Sequence, residues 1–265
     1  MLVETKTLHG CKVHAIDGEI GTIDEVLFED NTWIVRYLIV STGPWLFQRK
    51  VLIVPAKVIE IDWTTRTLNV DISRDQVENS PSVDTAKPVS RQWETDYYNY
   101  YAMPYYWGGS IGRGQLMGMM PPIGLIPFES PKLEQHESEL LHSHDDPHLR
   151  SSKALVGYKI SAKDGHIGHV RGFIVDDLTW EIQYLGVDTG DWWPGKKVLL
   201  PLTWINSINW PENSVLIEAT RLEVQNTPEW DTDEPITSEF QAKLYAYCAS
   251  HQESVPATAA AGDKR

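Results

Sequence analysis

Asp17-Gly18-Glu19-Ile20-Gly21 returns 147 positions later as Asp164-Gly165-His166-Ile167-Gly168. The correspondence spreads outward from there at the same offset. Asp30-Asn31-Thr32-Trp33 meets Asp177-Leu178-Thr179-Trp180, Tyr37-Leu38-Ile39-Val40 meets Tyr184-Leu185-Gly186-Val187, and Lys50-Val51-Leu52 meets Lys197-Val198-Leu199. Across Gly10–Pro81 and Gly157–Pro228, about two dozen of 72 positions are identical. The register slips only locally, where Pro55 matches Pro201 with a shift of one. A repeat of this length is one structural unit used twice.

Each copy reads as short strands. Cys11–Ile16 and Glu19–Phe28 flank Asp17-Gly18, a dipeptide suited to the positive backbone angles of a type I′ hairpin. Gly21 and Gly168 fall inside the second strand, where glycine marks a bulge or a bend. Trp33–Val40 and Trp180–Val187 form a third strand, followed by Lys50–Val54, Val58–Asp62 and Thr67–Ile72 and their counterparts 197–200, 204–209 and 214–219. Ser73 caps a short helix through Glu78 that Pro81 stops. The fold class expected is all-β: two tandem small antiparallel β-barrels joined by a long irregular linker, with one short C-terminal helix. The segments expected are 1–81, a linker over 82–150, 151–230, and a helix and tail over 231–265. At about 72 residues each module is small for an independent core, so the two are expected to lean on one another.

Lys plus Arg against Asp plus Glu count 8 to 12 in residues 1–81, 5 to 9 in 82–150 and 10 to 16 in 151–265. Every section is acidic and no cationic cluster stands out, which argues against phosphate backbones and anionic membrane surfaces as partners. Cys11 and Cys248 have no metal or redox spacing, and Met1–Lys6 has neither the basic region nor the apolar run of a secretory signal. A reduced, cytoplasmic protein is the reading that follows.

The run from Trp93 to Trp107, the Gly/Met/Pro stretch to Pro127 and the acidic, His-bearing run to Arg150 show no helical or alternating period and read as linker. Arg113, Gln115, Pro121 and Pro122 break the apolar stretch 111–128 as a membrane span, so no membrane insertion is expected. Tyrosines 97–107 are read as covering barrel surface or wedging between modules. Thr237–Ser250 reads as a helix with Phe240, Leu244, Tyr247 and Cys248 on one face.

The Asp-Gly turn with its following Ile-Gly, the strand opening at Asp-x-Thr-Trp and the Tyr-Leu-x-Val run ending in Thr-Gly resemble the PRC-barrel domain. That family is named for the cytoplasmic domain of the photosynthetic reaction centre H subunit, and it also supplies a domain of a ribosome maturation factor. With Asp146–Ser151 ahead of the second copy and Trp192-Trp193-Pro194-Gly195-Lys196-Lys197 within it, the chain looks like the tandem PRC-barrel proteins of bacteria. The resemblance covers about 145 of the 265 residues and implies a compact β-barrel adaptor without catalysis of its own.

Catalytic and nucleotide signatures are absent from the sequence: no Gly-x-Ser-x-Gly, no phosphate-cradling loop ahead of Lys-Ser/Thr, no His-Glu-x-x-His. No catalytic residue is assigned, and no cofactor is expected. His142, His144 and His148 are the weak metal candidates, with a solvated linker as the reading preferred. The partner-binding candidates are two equivalent loops. Trp45, Phe47 and Lys50 in one, and Trp192, Trp193 and Lys197 in the other, set aromatics beside cations as interface anchors do. The alternative for those tryptophans is closure of a barrel end or packing of the modules, as an intramolecular pair or in a homodimer. The function expected is a protein-interaction adaptor assisting a larger complex. The second reading is a regulatory ligand- or metal-binding protein attached to a membrane photosynthetic or electron-transfer complex.

Overall fold

The computed structural model of the chain describes residues 1–81, 89–107, 149–190, 193, 196–232 and 234–252. The first copy runs β1 (Leu2–Glu4), α1 (Thr5–Leu8), β2 (Lys12–Ala15), β3 (Gly18–Glu29), β4 (Ile34–Thr42), β5 (Lys50–Ile53), β6 (Val58–Asp62), β7 (Thr67–Val70), α2 (Arg74–Glu78) and α3 (Arg91–Tyr100). The second runs β8 (Leu149–Ser151), α4 (Ser152–Leu155), β9 (Lys159–Ala162), β10 (Gly165–Asp176), β11 (Ile182–Asp188), β12 (Lys197–Pro201), β13 (Ile205–Asn209), β14 (Ser214–Ile217), α5 (Arg221–Asn226) and α6 (Ser238–Gln252). The duplicated sequence therefore makes a duplicated structure. Strand order is β5-β4-β3-β2-β7-β6 in one sheet and β12-β11-β10-β9-β14-β13 in the other.

Two expectations need correction. The ladders are not all antiparallel: β2 pairs β7 in parallel, with Val13 opposite Leu68, and β9 pairs β14 likewise, with Ile160 opposite Val215. The cause is the short 3-10 turn Pro55–Lys57, which carries the chain from β5 into β6 without the reversal a hairpin gives. Nor is the first turn type I′, which needs positive φ at both central residues. Ala15 pairs Gly18, so the central residues are Ile16 and Asp17, and the positive φ (148°) belongs to Gly18. Asp17 has another task. Its Oδ1 accepts the backbone N–H of Arg74 at 2.8 Å, and Asp164 does the same for Arg221, so each aspartate ties its turn to the start of a helix. The sheets curl but stay open, with no ladder joining β5 to β6 or β12 to β13 among the described residues.

Gly21 and Gly168 are where the curl needs glycine. A Cβ at Gly21 would stand 2.1 Å from the Ser41 carbonyl oxygen, and one at Gly168 would stand 2.0 Å from that of Asp188. The second sits at φ 146° as well.

The two sheets complete each other. β3 and β10 are twelve residues long, and each spends only its first half on its own neighbour, β2 or β9. The freed edge of β10 is filled by β1, with Leu2 opposite Asp176 and Glu4 opposite Ile174. The freed edge of β3 is filled by β8, with Leu149 opposite Glu29 and Ser151 opposite Leu27. These registers map onto one another at the offset of 147. Between them, Val35 N–H donates to the Trp180 carbonyl (2.9 Å) and Ile182 N–H to that of Trp33 (2.8 Å). The copies are thus related by a pseudo-twofold axis beside Ile34 and Glu181. Phe28, Trp33 and Phe173 pack across it with ring centroids 5.2 to 5.9 Å apart, and both phenylalanines are fully buried. The mutual support expected of two small modules takes this form.

Helices α3 and α6 cover equivalent places. Ser90 Oγ accepts from Trp93 N–H and Thr237 Oγ1 from Phe240 N–H, both at 3.2 Å. Tyr100 donates to the Gln76 carbonyl at 3.0 Å, and Tyr247 donates to the Glu223 carbonyl at 2.7 Å. Each pair of positions again differs by 147, so the repeat reaches beyond Pro81 to residue 100 at least. The stretch read as aperiodic linker is helical over Arg91–Tyr100, and its far end Leu149–Ser151 is a strand.

One continuous apolar interior spans both modules, so thermal unfolding followed by tryptophan fluorescence and circular dichroism is expected to be a single transition. Phe173→Ala should lower stability by about 3–5 kcal/mol. Gly168→Ala should cost about 2 kcal/mol or more through the backbone collision. Two separable transitions, with only one shifted by Phe173→Ala, would contradict the shared interior.

Candidate functional site

The loops flagged from the sequence are built alike. After the Thr-Gly turn, Thr42 Oγ1 donates to the Arg49 carbonyl at 2.7 Å, and Thr189 Oγ1 to the Lys196 carbonyl at 2.8 Å, closing each loop at its base. Arg49 reaches the Glu78 and Ser80 carbonyls at 3.1 and 2.7 Å, while Lys196 Nζ reaches those of Gln225 and Thr227. These cations satisfy the last carbonyls of α2 and α5. They hold the loop onto the helix that follows its barrel.

The six partner-binding candidates fall into different surroundings. Trp45 lies half-buried over its own barrel end: its Nε1–H donates to the Ile20 carbonyl at 2.7 Å, and the Arg74 guanidinium stacks 4.2 Å from its ring. Phe47 is 94% exposed at the loop tip, where Phe47 and Gln48 both take left-handed φ (51° and 56°). Its aromatic ring is thereby turned out into solvent by a conformation that non-glycine residues seldom adopt. Trp193 is 44% exposed on the matching loop. Lys50 bonds Asp24 at 2.7 Å and Lys197 Nζ approaches the Thr232 hydroxyl at 3.3 Å. Trp192 lies outside the described residues, as do His142, His144 and His148. Among the described residues no group of three or more His, Cys, Asp or Glu is placed to hold a metal ion.

The tyrosine run is structural where it is described. Tyr97 is buried in the first barrel against Tyr37, edge to face at 5.7 Å, and donates to the Leu52 carbonyl at 2.9 Å. Glu94 is fully buried beside them and accepts hydrogen bonds from Tyr37 (2.9 Å) and Tyr106 (2.7 Å). Burial first, and the Glu94 carboxylate second, push the Tyr37 phenol far above its ordinary pKa, so it stays a donor. Arg36 lies 4.0 Å over the Tyr106 ring and closes the cluster. Sequence reasoning missed Glu94, whose only signal was an acid on the buried face of a helix that went unrecognised.

It also missed a cleft of about 650 Å³ on the pseudo-twofold axis, bounded by α1 and α4 and by the middles of β3 and β10. Asp24 stands at its wall, bonded by Lys50 of its own module (2.7 Å) and Lys153 of the other (2.8 Å). The hydrogen bonds of Lys153 and Lys50 hold the Asp24 carboxyl at about 2, well below its ordinary value. Glu25 next to it is raised by burial and accepts the Ser151 hydroxyl. The signal in the sequence was a charge reversal between copies, Asp24 against Arg171, beside the loss of a side chain where Glu25 meets Gly172.

With that geometry in view, comparison with known proteins locates the fold. Residues 3–79 match the PRC-barrel domain family. Among the curated proteins no sequence matches. Among solved structures, a 16S ribosomal RNA processing protein, RimM, from Pseudomonas aeruginosa is 23% identical over 28% of this chain and 45% of its own, with a TM-score of 0.24. The chain thus spans less than half the length of that protein. The first copy is a PRC-barrel domain, and the second repeats its strand order. No helix among the described residues is long and apolar enough to cross a membrane.

Because the Asp24 carboxyl is depressed in the folded state, its ion pairs stabilise the protein fully above the unfolded value near 3.8 and lose that contribution as pH falls towards about 2. Asp24→Asn should therefore cost about 1–2 kcal/mol at pH 7, a figure already reduced for solvent screening. Its unfolding curve should depend less on pH between 4 and 2 than that of the parent chain. Equal acid sensitivity of the two would show that the Lys50–Asp24–Lys153 bridge does not link the modules energetically.

Proposed function

We propose that this protein is a non-enzymatic adaptor in which two PRC-barrel modules, fused as a pseudo-dimer, present a pair of aromatic loop tips to a protein partner and so assist the assembly or regulation of a larger complex. The observation that carries this reading is the disposition of Phe47 and Trp193. Phe47 is 94% exposed and Trp193 44% exposed, on loops whose bases are closed by threonine and cation hydrogen bonds. An aromatic exposed on a preformed loop loses little conformational freedom on binding and buries a large area, which is how a few residues dominate an interface. The exchanged strands add fixed spacing between the tips, because neither module can turn without breaking β1 from β10 or β8 from β3. Two aromatic tips on one body, on matching loops though not at matching positions, favour a partner with two sites through effective concentration.

Absence of catalysis is part of the proposal and rests on the residues: nucleophile–base and acid–base sets were not found in the sequence. The buried acids of the fold serve other ends, Glu94 accepting from tyrosines and Glu29 pairing with Arg36 at 2.5 Å. An acidic chain of net charge −14 favours proteins over nucleic acids as partners.

The test is quantitative capture from native lysate with the full chain as bait, beside Phe47→Ala and Trp193→Ala baits of equal melting temperature. Loss of an anchor worth about 2 kcal/mol should reduce recovery of a genuine partner roughly thirtyfold. Recovery of the same proteins in equal amounts by all three baits would remove the loop tips from the interface.

A further inference from the structure

The cleft on the pseudo-twofold axis is not used by the adaptor reading, and its lining differs from the rest of the surface. Its inner wall is apolar, made by Ile23 and Val26 of one module and Val170 of the other, with Val156 half-exposed at the edge. Its rim carries Lys6 and Lys153 at equivalent positions of α1 and α4, together with Arg171 and the imidazoles of His9 and His169. In a chain of net charge −14, Lys6, Lys153 and Arg171 in one cleft stand out.

The acids that line the same cleft are already engaged. Asp24 is bonded by two lysines at 2.7 and 2.8 Å, with His9 Nε2 a further 3.7 Å away. Glu25 takes the Ser151 hydroxyl, and burial favours its neutral form. Asp188 Oδ1 accepts the backbone N–H of Gly190 at 2.9 Å. The cations are less well satisfied. Lys6 is exposed and has no ion-pair partner among the described residues. Arg171 Nε is buried without a hydrogen bond, 3.4 Å from Glu4 Oε1, which also makes none. A ligand entering here meets apolar side chains within and, at the mouth, the exposed Lys6 ammonium beside an Arg171–Glu4 ion pair whose guanidinium Nε makes no hydrogen bond.

We infer that this cleft binds a small organic anion with an apolar body, a medium-chain carboxylate or a compound of the same amphiphilic character, its acid group at Lys6 and Arg171 and its chain along Ile23, Val156 and Val170. The volume of about 650 Å³ suits such a molecule. A carboxylate at the mouth gains a charge-assisted hydrogen bond from Lys6, which otherwise faces water, and offers Arg171 the hydrogen bond that its ion pair with Glu4 does not supply. A cation there would meet carboxylates already bonded, beside lysines that repel it. Because the walls come from both modules, an occupant also bridges them and adds to the pairing that the exchanged strands begin. This inference is independent of the adaptor proposal: Phe47 and Trp193 do not line the cleft, so either can fail without the other.

The probes are decanoate, decanol and inorganic phosphate, titrated calorimetrically into the full chain. Decanoate is expected to bind at one site with submillimolar affinity, decanol at least about tenfold more weakly, and phosphate without measurable heat. Lys6→Glu, which alters an exposed side chain and should not disturb folding, is expected to weaken decanoate about tenfold or more. Val156→Trp, checked for an unchanged melting temperature, fills the edge of the cleft and should abolish binding. The inference is overturned by any of three results: no heat from decanoate at about 1 mM; decanol binding as tightly as decanoate, which would mark a merely apolar cavity; or unchanged decanoate affinity in Lys6→Glu, which would place the anion elsewhere.

Discussion

The exchange of β1 and β8 is the constraint on which the rest of this structure depends. A twelve-residue strand such as β3 or β10 cannot be satisfied along its whole edge by the four-residue strand its own hairpin supplies. The remaining N–H and C=O groups must find partners, since unpaired backbone at a buried edge is costly and an exposed one invites aggregation. Each copy solves this with the segment that opens the other. Neither sheet is complete without both ends of the duplicated chain, and Phe28 and Phe173 at the seam are as fully buried as the core of either barrel, with Trp33 packed over them. A pair of free modules would tolerate rotation about their joint. This pair does not, and that distinction separates one fixed body from two beads on a string.

Much of the architecture was legible in particular residues, each for a reason the structure supplies. Asp17 and Asp164 recur because they tie a turn to a helix start, Gly21 and Gly168 because a neighbouring carbonyl occupies the space of a Cβ. Trp33 and Trp180 recur because both pack against the shared core beside the axis, and they do so despite a left-handed φ. What escaped was of two kinds. Three-residue strands such as β1 and β8 are too short to carry a period, and their partners lie more than a hundred residues away, so local pattern cannot announce them. Helix α3 was hidden by its own composition. Its aromatics at 93, 97, 98, 100 and 101 share one side and Thr95, Asp96 and Asn99 the other, but Glu94 interrupts the aromatic side; Tyr98 and Tyr100 are matched by Tyr245 and Tyr247 in α6, a helix that was readable.

The candidate sites were legible to a smaller degree, because a sequence lists side chains without saying which are spent on folding. Trp45 and Phe47 are two positions apart and look alike as interface anchors, yet one caps its barrel and the other points into solvent. The difference is set by a single feature, the left-handed turn at Phe47 and Gln48, which no composition rule reveals. Arg49 and Lys196 likewise resemble interface cations until they are seen to satisfy the ends of α2 and α5.

Duplication also explains where novelty can arise in such a fold. Positions that build the frame are held alike in both copies by the geometry they must satisfy, as Leu8 and Leu155 or Tyr37 and Tyr184 are. Around the axis the constraint is weaker, since a residue there faces its own counterpart across the cleft and need only avoid clashing with it. The copies differ in that place: Asp24 corresponds to Arg171, Glu25 to Gly172, and His9 to Val156, and all six line the cleft. A symmetric cleft would offer any asymmetric ligand two equivalent orientations. Reversal of charge at one pair and loss of a side chain at another leave a single preferred one, so a symmetric scaffold acquires a directional site without altering a strand.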